Sequence, residues 1–412
     1  MRLASAQIQA AGHSRLAWRI FPWLIRFLLR LIELTAISVV VELAMTLPMA
    51  IYFHRITIVA LPVNVLILPL LLVLMPAALL TLLALFAWPS GAILPAMVVA
   101  VVLHFSVWLV HLFGSFTNGD FRIPGPILWQ CIAFCVLVAA AMLLAHRGLL
   151  TLSRAQHRLA WLALLLAAFA AVVPRPINHP RDALLVEAID VGQGDSLLLI
   201  TPDGKTLLVD GGGFRGGPRQ TPQDFDIGEE VVSPVLWARG IRHLDAVALS
   251  HAHSDHLGGL PAILRNFHPS ELWVGNNPPA KDYLALLEEA ASLHVKVRPF
   301  HAGDAVALGS AEFEVLAPGA GYQPGAEPSN NDSLVLHASY GASSVLLEGD
   351  AEGPIEDAMI AAPSLPSTLL KVGHHGSLTS TRPEFLARVA PQWAVISCGL
   401  HNRYGHPRQP VL

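Results

Sequence analysis

The chain has 412 residues, 53% hydrophobic and only 14% charged, with a net charge of −4. Soluble domains carry about a quarter charged residues, so a wholly soluble protein is excluded and part of the chain belongs in a bilayer. Three cysteines, Cys131, Cys135 and Cys398, exclude a disulfide framework, a cysteine-only zinc site and a paired redox motif; Cys131 and Cys135 read as small packing residues.

The charge is divided along the chain. Residues 1–173 hold ten Lys/Arg against Glu33, Glu42 and Asp120, about +7, whereas residues 174–412 hold sixteen Lys/Arg against 27 Asp/Glu, about −11. Apolar stretches at about 24–46, 57–86, 91–113, 127–145 and 159–173 approach or exceed the roughly 20 residues a span needs, and predict five crossings. The second is long and holds Pro62, Asn64, Pro69 and Pro76, which predicts a kink or break, and the fifth is short, with a start near Leu149. Arg15, Arg19, Arg26 and Arg30 before the first span, and Arg147, Arg154 and Arg158 between the fourth and fifth, put both places in the cytoplasm and residue 174 outside. No small-residue cleavage site follows the first apolar run, which argues against a signal peptide. Of the intramembrane polar residues Glu33, Glu42, His104 and His111, the histidines read as helix-packing residues and Glu42 as the pore candidate. "PRPINHPRD", 174–182, reads as a linker.

From residue 183 the runs shorten: "ALLVEAIDVG", "DSLLLITPDGKTLLVDGGG", "LDAVALSH", "AEFEVLAP", "DSLVLHASYGASSVLLEGD", "STLLKVGHH" and "WAVISCG". Helical stretches near 228–239, "LGGLPAILRNF", "KDYLALLEEAASLH" and "RPEFLARV" lie among them. Strands and helices interleaved in this way predict an α/β layered domain with one core, and "TPDGKT" between two apolar runs predicts a hairpin.

"LDAVAL" reads as a strand, with "SHAHSDHLGG" at its carboxyl end and a helix expected from near Gly258. His251 and His253, two apart on an extended loop, can point at one ion, while adjacent Asp255 and His256 diverge enough to serve a second. Neutral imidazole and carboxylate suit zinc, manganese or iron. Lone histidines such as His179, His243 and His294 are more often packing or surface residues; four ligand side chains within six residues are a metal site.

HxHxDH after a strand, followed by GG, resembles the metallo-β-lactamase superfamily, an αββα fold in which two metal ions activate a hydroxide. "DVGQGDSLLL", "LLVDGGG", "NNDSLVL", "LLEGD", "LLKVGHHGS" and "NRYGHP" occur in the order found in ComEC-type DNA internalization-related competence proteins, and "LPVNVLILPL" is similar to the asparagine-and-proline segment of that family's competence domain. The resemblance implies a multi-pass α-helical membrane domain over 1–173, the linker, and a metallo-β-lactamase-like αββα sandwich over 183–412. It also implies the bacterial inner membrane, with the second domain extracytoplasmic. His251 and His253 are assigned to one of two divalent ions (zinc or manganese), Asp255 and His256 to the other, Asp350 to the bridge, and His374 or His375 to the second site.

"SSVLLEGD" and "LLKVGHH" read as strands whose terminal carboxylate and imidazoles project from the same sheet edge as His251. Asp210, closing "TLLVDGGG", reads as an orienter of a ligand histidine, and the following glycines as letting the backbone pass close to the metals. The implied activity is hydrolysis of phosphodiesters in the strand of incoming DNA that is not transported, while the membrane half passes the other, single strand inward. Asp255 is the candidate to orient the attacking water, with electrostatic support from Lys371 and His406; Lys371 also reads plainly as a strand-end surface lysine. The implied partners are DNA, the uptake machinery of the cell envelope and membrane lipid, with homo-oligomerisation left open.

The competence family commonly has HxDxDH, so His253 predicts a stronger preference for zinc; manganese with no zinc uptake would refute that. Between His256 and Asp350, none of His268, His294, His301 and His337 has the superfamily's usual surroundings, and Asn331 or Ser333 is expected near the metals instead. DNA-binding domains are expected to be basic, so at −11 the nuclease reading rests on resemblance, with Arg215, Arg219, Arg239 and Arg242 as a candidate track. Other readings are a membrane-anchored hydrolase of a small ester, lactam or phosphoester, and a DNA channel with an inactive metal domain. Against the family pattern the chain reads as incomplete at both ends, with terminal strands of the second domain missing.

Overall fold

The computed structural model describes residues 2–412 apart from 117–118, 152 and 215–224, with side chains from 22 onward except Leu24. Arg15 and Arg19 as side chains, and Arg215 and Arg219 altogether, lie outside the described residues. The chain divides into two compact units, Met1–Val173 and Pro174–Leu412.

In the first unit α1 (Arg2–Tyr52), α2 (Ala60–Ala87), α3 (Ile93–Gly114), α4 (Leu128–Thr151) and α5 (Arg154–Val172) are joined by short connections. Two of these, β1 (Arg55–Thr57) and β2 (Asp120–Arg122), pair antiparallel. Among the described residues five helical segments are long and apolar enough to cross a membrane: Ile25–Tyr52, Ala60–Ala87, Pro89–Gly114, Leu128–Thr151 and Arg154–Val172. The second is one helix through Pro69 and Pro76 rather than a broken span. Ala160, Ala163, Ala167, Ala170 and Ala171 are buried on α5, where small residues let helices approach closely, and Gln130 on α4 donates to the carbonyls of Ala170 (3.0 Å) and Val173 (3.1 Å).

Three expectations are corrected in this unit. The fifth helix starts at Arg154, not near Leu149, because Ser153 caps it by accepting from the Gln156 amide. Arg147, Arg154 and Arg158 therefore sit on helix ends instead of filling a loop. His104 and His111 are exposed on α3, not packed between described helices. Glu42 is half-buried and accepts from Asn64 Nδ2 at 2.9 Å, a bond between α1 and α2.

The second unit opens with β3 (Leu185–Ala188), β4 (Leu197–Ile200), β5 (Thr206–Val209), α6 (Ser233–Ala238), β6 (Ala246–Leu249), α7 (Ser254–Leu257), α8 (Leu260–Phe267), β7 (Glu271–Val274), α9 (Lys281–Ser292) and β8 (Lys296–Pro299). It continues with β9 (Ala305–Leu308), β10 (Ala311–Ala317), β11 (Val335–Tyr340), β12 (Ser343–Leu347), α10 (Gly353–Met359), β13 (Leu369–Lys371), α11 (Pro383–Val389) and β14 (Trp393–Val395). Two six-stranded sheets result, ordered β3-β4-β5-β6-β7-β8 and β14-β13-β12-β11-β10-β9.

Alternation along each strand explains the layers. Leu198, Ile200, Leu208, Val247 and Leu249 pack with Leu236, Ile263, Leu264, Phe267 and Leu286 of the helices. Their neighbours Leu197, Leu199, Leu207, Val209, Ala246 and Ala248 meet Phe313, Val315, Leu336, Val345 and Leu347 of the other sheet. On the far side Leu346 and Leu370 pack against Ile355, Met359, Phe385 and Val389 of α10 and α11. The result is an αββα sandwich whose central strands, covered on both faces, read as unbroken apolar runs. Residues 174–180 form neither helix nor strand, yet the segment is fastened: Arg175 Nη2 donates to the carbonyls of Trp237 (3.2 Å) and Ala238 (2.7 Å), and the Asn178 amide to Arg239 O (3.0 Å).

Candidate metal centre

Five strands deliver polar residues to one place. β5 and β6 run parallel, so Asp210 and Ser250–His251 leave their carboxyl ends side by side. β12 and β13 are parallel in the other sheet and deliver Asp350 and His374–His375 in the same way. The two groups therefore come from facing sheets, not from one edge as the sequence reading had it. β4 is antiparallel to β5, so Asp195, just before β4, joins Asp210. Asp195, Asp210, His251, Asp255, His256, Asp350 and His375 are all fully buried.

Four groups of ligand atoms each lie within 4.8 Å of one another: His251–His256–Asp350, Asp255–His256–His375, Asp195–Asp210–His256 and Asp195–Asp350–His375. His256 Nε2 is 3.3 Å from Asp350 Oδ2, and His375 Nε2 is 3.4 Å from the same oxygen and 3.7 Å from Asp255 Oδ2. Asp210 accepts from the Ser250 amide (2.7 Å), the Ser250 hydroxyl (2.7 Å) and Nδ1 of His256 (2.8 Å), leaving Nε2 of His256 to face the cluster.

His253 and His374 stand at the margin. His253 shares a hydrogen bond of 2.8 Å with Nε2 of His251, and its Nε2 meets the Pro328 carbonyl at 3.0 Å. Nε2 of His251 and Nδ1 of His253 thus face each other, as the expected pairing on one ion has them, while His251 also groups with His256 and Asp350. His374 Nε2 is 4.0 Å from Asp350 Oδ2, and its Nδ1 faces Glu352 Oε1 at 3.3 Å, so His375 is the better placed of the pair. The Ser333 hydroxyl accepts from the Asp350 amide (3.1 Å) and Asn331 Oδ1 from the Glu352 amide (3.1 Å), so both brace the ligand loop. His268, His294, His301 and His337 belong to none of the four groups.

Lys371 is buried, 1% exposed, and forms an ion pair with Asp195; its Nζ donates to Gly349 O (3.1 Å) and lies 3.8 Å from Asp350 Oδ1. The surface-lysine reading is excluded. Burial opposes the Lys371 charge, but Asp195 and Asp350 outweigh it and raise its pKa. Burial likewise disfavours the Asp195 carboxylate, yet Lys371 and His375 bring it down to about 2. Burial alone would depress the His375 imidazole, whereas Asp350 and Asp195 lift it to about 9. For His256 the carboxylates of Asp350 and Asp210 overcome burial, and its pKa stands well above the ordinary value. His406 goes the other way: burial, then the charges of His374 and His375, push it down to about 4.

A Cβ on Gly213 would strike the carbonyl oxygen of Ser254, and one on Gly194 that of Asp255. These glycines admit the backbone of the ligand loop itself. Asp210, His374 and His375 hold positive φ values of 62°, 47° and 56°, strained for residues with a Cβ and a mark of functional turns.

Nε2 of His256, Nε2 of His375 and both oxygens of Asp350 are buried without a well-directed hydrogen bond among the described residues. Imidazole nitrogens and carboxylate oxygens of this kind fit divalent cations. The model of the metallo-beta-lactamase superfamily matches residues 189–400, more than half of the chain. The chain belongs to that superfamily.

A competence protein model matches residues 4–148, and the pairing of these two domains is of ComEC type. ComE operon protein 3 of Bacillus subtilis (strain 168) is 38% identical over 235 residues, 55% of this chain and 30% of the relative. Competence protein ComA of Neisseria gonorrhoeae is 30% identical over 311 residues, 75% of this chain and 38% of the relative. The chain thus spans about a third of the length of these curated relatives. Among solved structures, the metallo-beta-lactamase fold protein YhfI from Bacillus subtilis aligns at 16% identity over 55% of this chain and 92% of its own, with a TM-score of 0.33. The superfamily fold implies divalent metal binding and supports a metal-dependent hydrolase, and the five apolar helices with the competence match mark a membrane protein.

The sequence reading missed Asp195, which looks like a turn residue in "VGQGDS". Its signal was the hairpin: an antiparallel pair puts the start of β4 beside the end of β5. Arg239 of the candidate DNA track is engaged by Glu187 at 2.6 Å and by Asn178 O at 3.3 Å, which accounts for it structurally.

Proposed function

We propose that the chain takes part in DNA uptake during natural transformation. In this reading the second unit hydrolyses phosphodiesters of the strand that is not transported, on the outer side of the inner membrane, while the helical unit passes the single strand inward. The observation that carries the catalytic part is the buried cluster His251, Asp255, His256, Asp350 and His375 where the ends of two sheets meet. Arg26 and Arg30, in the first turns of the segment Ile25–Tyr52, support the sidedness.

The cluster would hold two divalent ions, zinc or manganese: His251, His256 and Asp350 on one side, Asp255, His256 and His375 on the other, with Asp195 within reach of Asp350 and His375. Bound there, such ions lower the pKa of water and stabilise charge on a phosphoryl group. Asp255 orients the attacking water and accepts its proton on a carboxylate oxygen; the water oxygen bonds to phosphorus as the P–O bond to the leaving oxygen breaks, and Asp255 passes the proton to that oxygen. Asp210 fixes the His256 tautomer through Nδ1, as partners of ligand histidines do. Lys371 does not reach substrate but holds Asp195 and Asp350 in place. The Glu42–Asn64 bond marks where the helical unit has polar groups at depth, and Glu42 remains the pore candidate.

The net −11 of the second unit favours a second reading, hydrolysis of a small phosphoester or ester. Metal-loaded full chain given single-stranded DNA and a small ester separates the two. Cleavage of DNA that disappears in Asp255→Ala is expected; ester turnover with intact DNA would replace the nuclease reading.

A further inference from the structure

Residues 385–412 contain Arg388, Arg403 and Arg408 and no Asp or Glu, within a unit that is otherwise acidic. Two of these arginines lie on the loop Asn402–Arg408, "NRYGHPR", which borders the metal centre. A file of rings leads outward along it. His374 lies 6.2 Å from His375, ring centroid to centroid; His406 lies 5.7 Å from His374; Tyr404 stacks on His406 at 5.7 Å with 27° between planes. The guanidinium of Arg403 lies 4.9 Å from the centre of the Tyr404 ring, and Arg403 and Arg408 are exposed.

We propose that this loop is a binding surface for single-stranded nucleic acid next to the scissile phosphodiester, with Tyr404 and the Arg403 plane stacking a base and Arg403 and Arg408 meeting backbone phosphates. The proposal rests on the phosphodiester reading above. Flat rings interleaved with cations are what a single strand requires, since every base offers a π-face and every linkage a negative charge. A small neutral ester needs neither.

The loop is built to hold its shape and its distance from the cluster. Asn402 Nδ2 donates to the carbonyls of Gly399 (2.8 Å) and His406 (2.6 Å), and Asn402 Oδ1 accepts from the amides of Tyr404 (3.1 Å) and His406 (3.0 Å). The Arg408 amide donates to Gly376 O at 2.9 Å, one residue past His375. His375 Nδ1 in turn bonds Ser397 O at 2.9 Å, and the Ser397 hydroxyl donates to Gly194 O at 2.6 Å, beside Asp195. The turns that position His375 and Asp195 therefore also position the loop, and a preorganised surface loses little entropy on binding.

The test is binding of a short fluorescent single strand to the detergent-solubilised full chain in chelator, where no turnover occurs. Tyr404→Ala is expected to weaken binding about tenfold, the loss of one base stack, while Tyr404→Phe, which keeps the ring, stays within about twofold. Arg403→Ala and Arg408→Ala should each lower the slope of log affinity against log salt by about 0.7. Wild-type affinity in Tyr404→Ala, or an equal loss in Tyr404→Phe, overturns the assignment, as does an unchanged salt slope in both arginine variants. Wild-type turnover of a small phosphodiester with metal added tests the hydrolase reading separately. Strand binding through Tyr404 without any such turnover supports the loop and refutes the hydrolase; turnover without Tyr404-dependent binding does the reverse.

Discussion

Replacing Lys371 by methionine keeps the straight side chain and removes its charge. In the metal-free chain Asp195, fully buried, then loses its ion-pair partner, whereas Asp350 keeps His256 and His375 beside it. Stranding a buried charge in this way costs about 3–5 kcal/mol. For a unit the size of residues 174–412, each kcal/mol moves Tm by about 2–4 °C, so Lys371→Met should melt about 6–20 °C lower in chelator. Adding Asp195→Asn removes one stranded carboxylate and should recover part of the loss, a coupling of about 0.5–3 kcal/mol. Saturating zinc or manganese should narrow the gap, because a divalent cation supplies positive charge to the same carboxylates. The assay is thermal unfolding of the full chain in detergent by near-UV circular dichroism, with and without metal. A drop of less than about 2 °C in chelator, too small for a stranded buried charge, would show that Lys371 does not hold Asp195, as would strictly additive losses in the double variant.

Asp210→Asn keeps the shape but weakens the bond that fixes Nδ1 of His256, and should cost about 10–100-fold in metal affinity measured against a chromogenic chelator; unchanged affinity would show that His256 is oriented otherwise. Asp203, exposed in the hairpin turn, accepts from Thr201 and from both the amide and hydroxyl of Ser310, which bring it down to about 2. Because the folded value is depressed, its stabilisation is present above the unfolded value of 3.8 and is lost as pH falls through about 2. Solvent screening limits it to less than about 1 kcal/mol. Denaturant titrations of wild type and Asp203→Asn should accordingly differ at about pH 5 and converge toward about pH 2, and a difference independent of pH would contradict the assignment.

Most of the sandwich was legible because its central strands are covered on both faces and appear as apolar runs. β7, β8 and β9 were not: "ELWV" is four residues long, β8 alternates Lys296 and Arg298 at an exposed edge, and "AVAL" of β9 is short and mild. In the centre, residues that close an apolar strand were readable, Asp210, His251, Asp350 and His375 among them. Asp195 opens a strand instead, and only the antiparallel register brings it in. The fate of Lys371 was invisible because a strand-end lysine becomes a buried counter-ion only when a second sheet brings Asp195 across. For His253 the spacing suggested a ligand, but its contact with the Pro328 carbonyl, 75 residues away, could be found only in the fold. In the helical unit the spans follow from hydropathy alone, whereas the Glu42–Asn64 bond depends on which helix faces meet.

The most direct test of the account is cleavage of single-stranded DNA by the full chain as zinc or manganese is titrated in, with bound metal counted by elemental analysis in the same samples. Cleavage should rise with metal and level off at about two ions per chain, in the manner of two-metal hydrolysis, and be absent in Asp350→Ala. A chain that carries its full metal load and leaves DNA intact, or one that cuts equally well as Asp350→Ala, would contradict it.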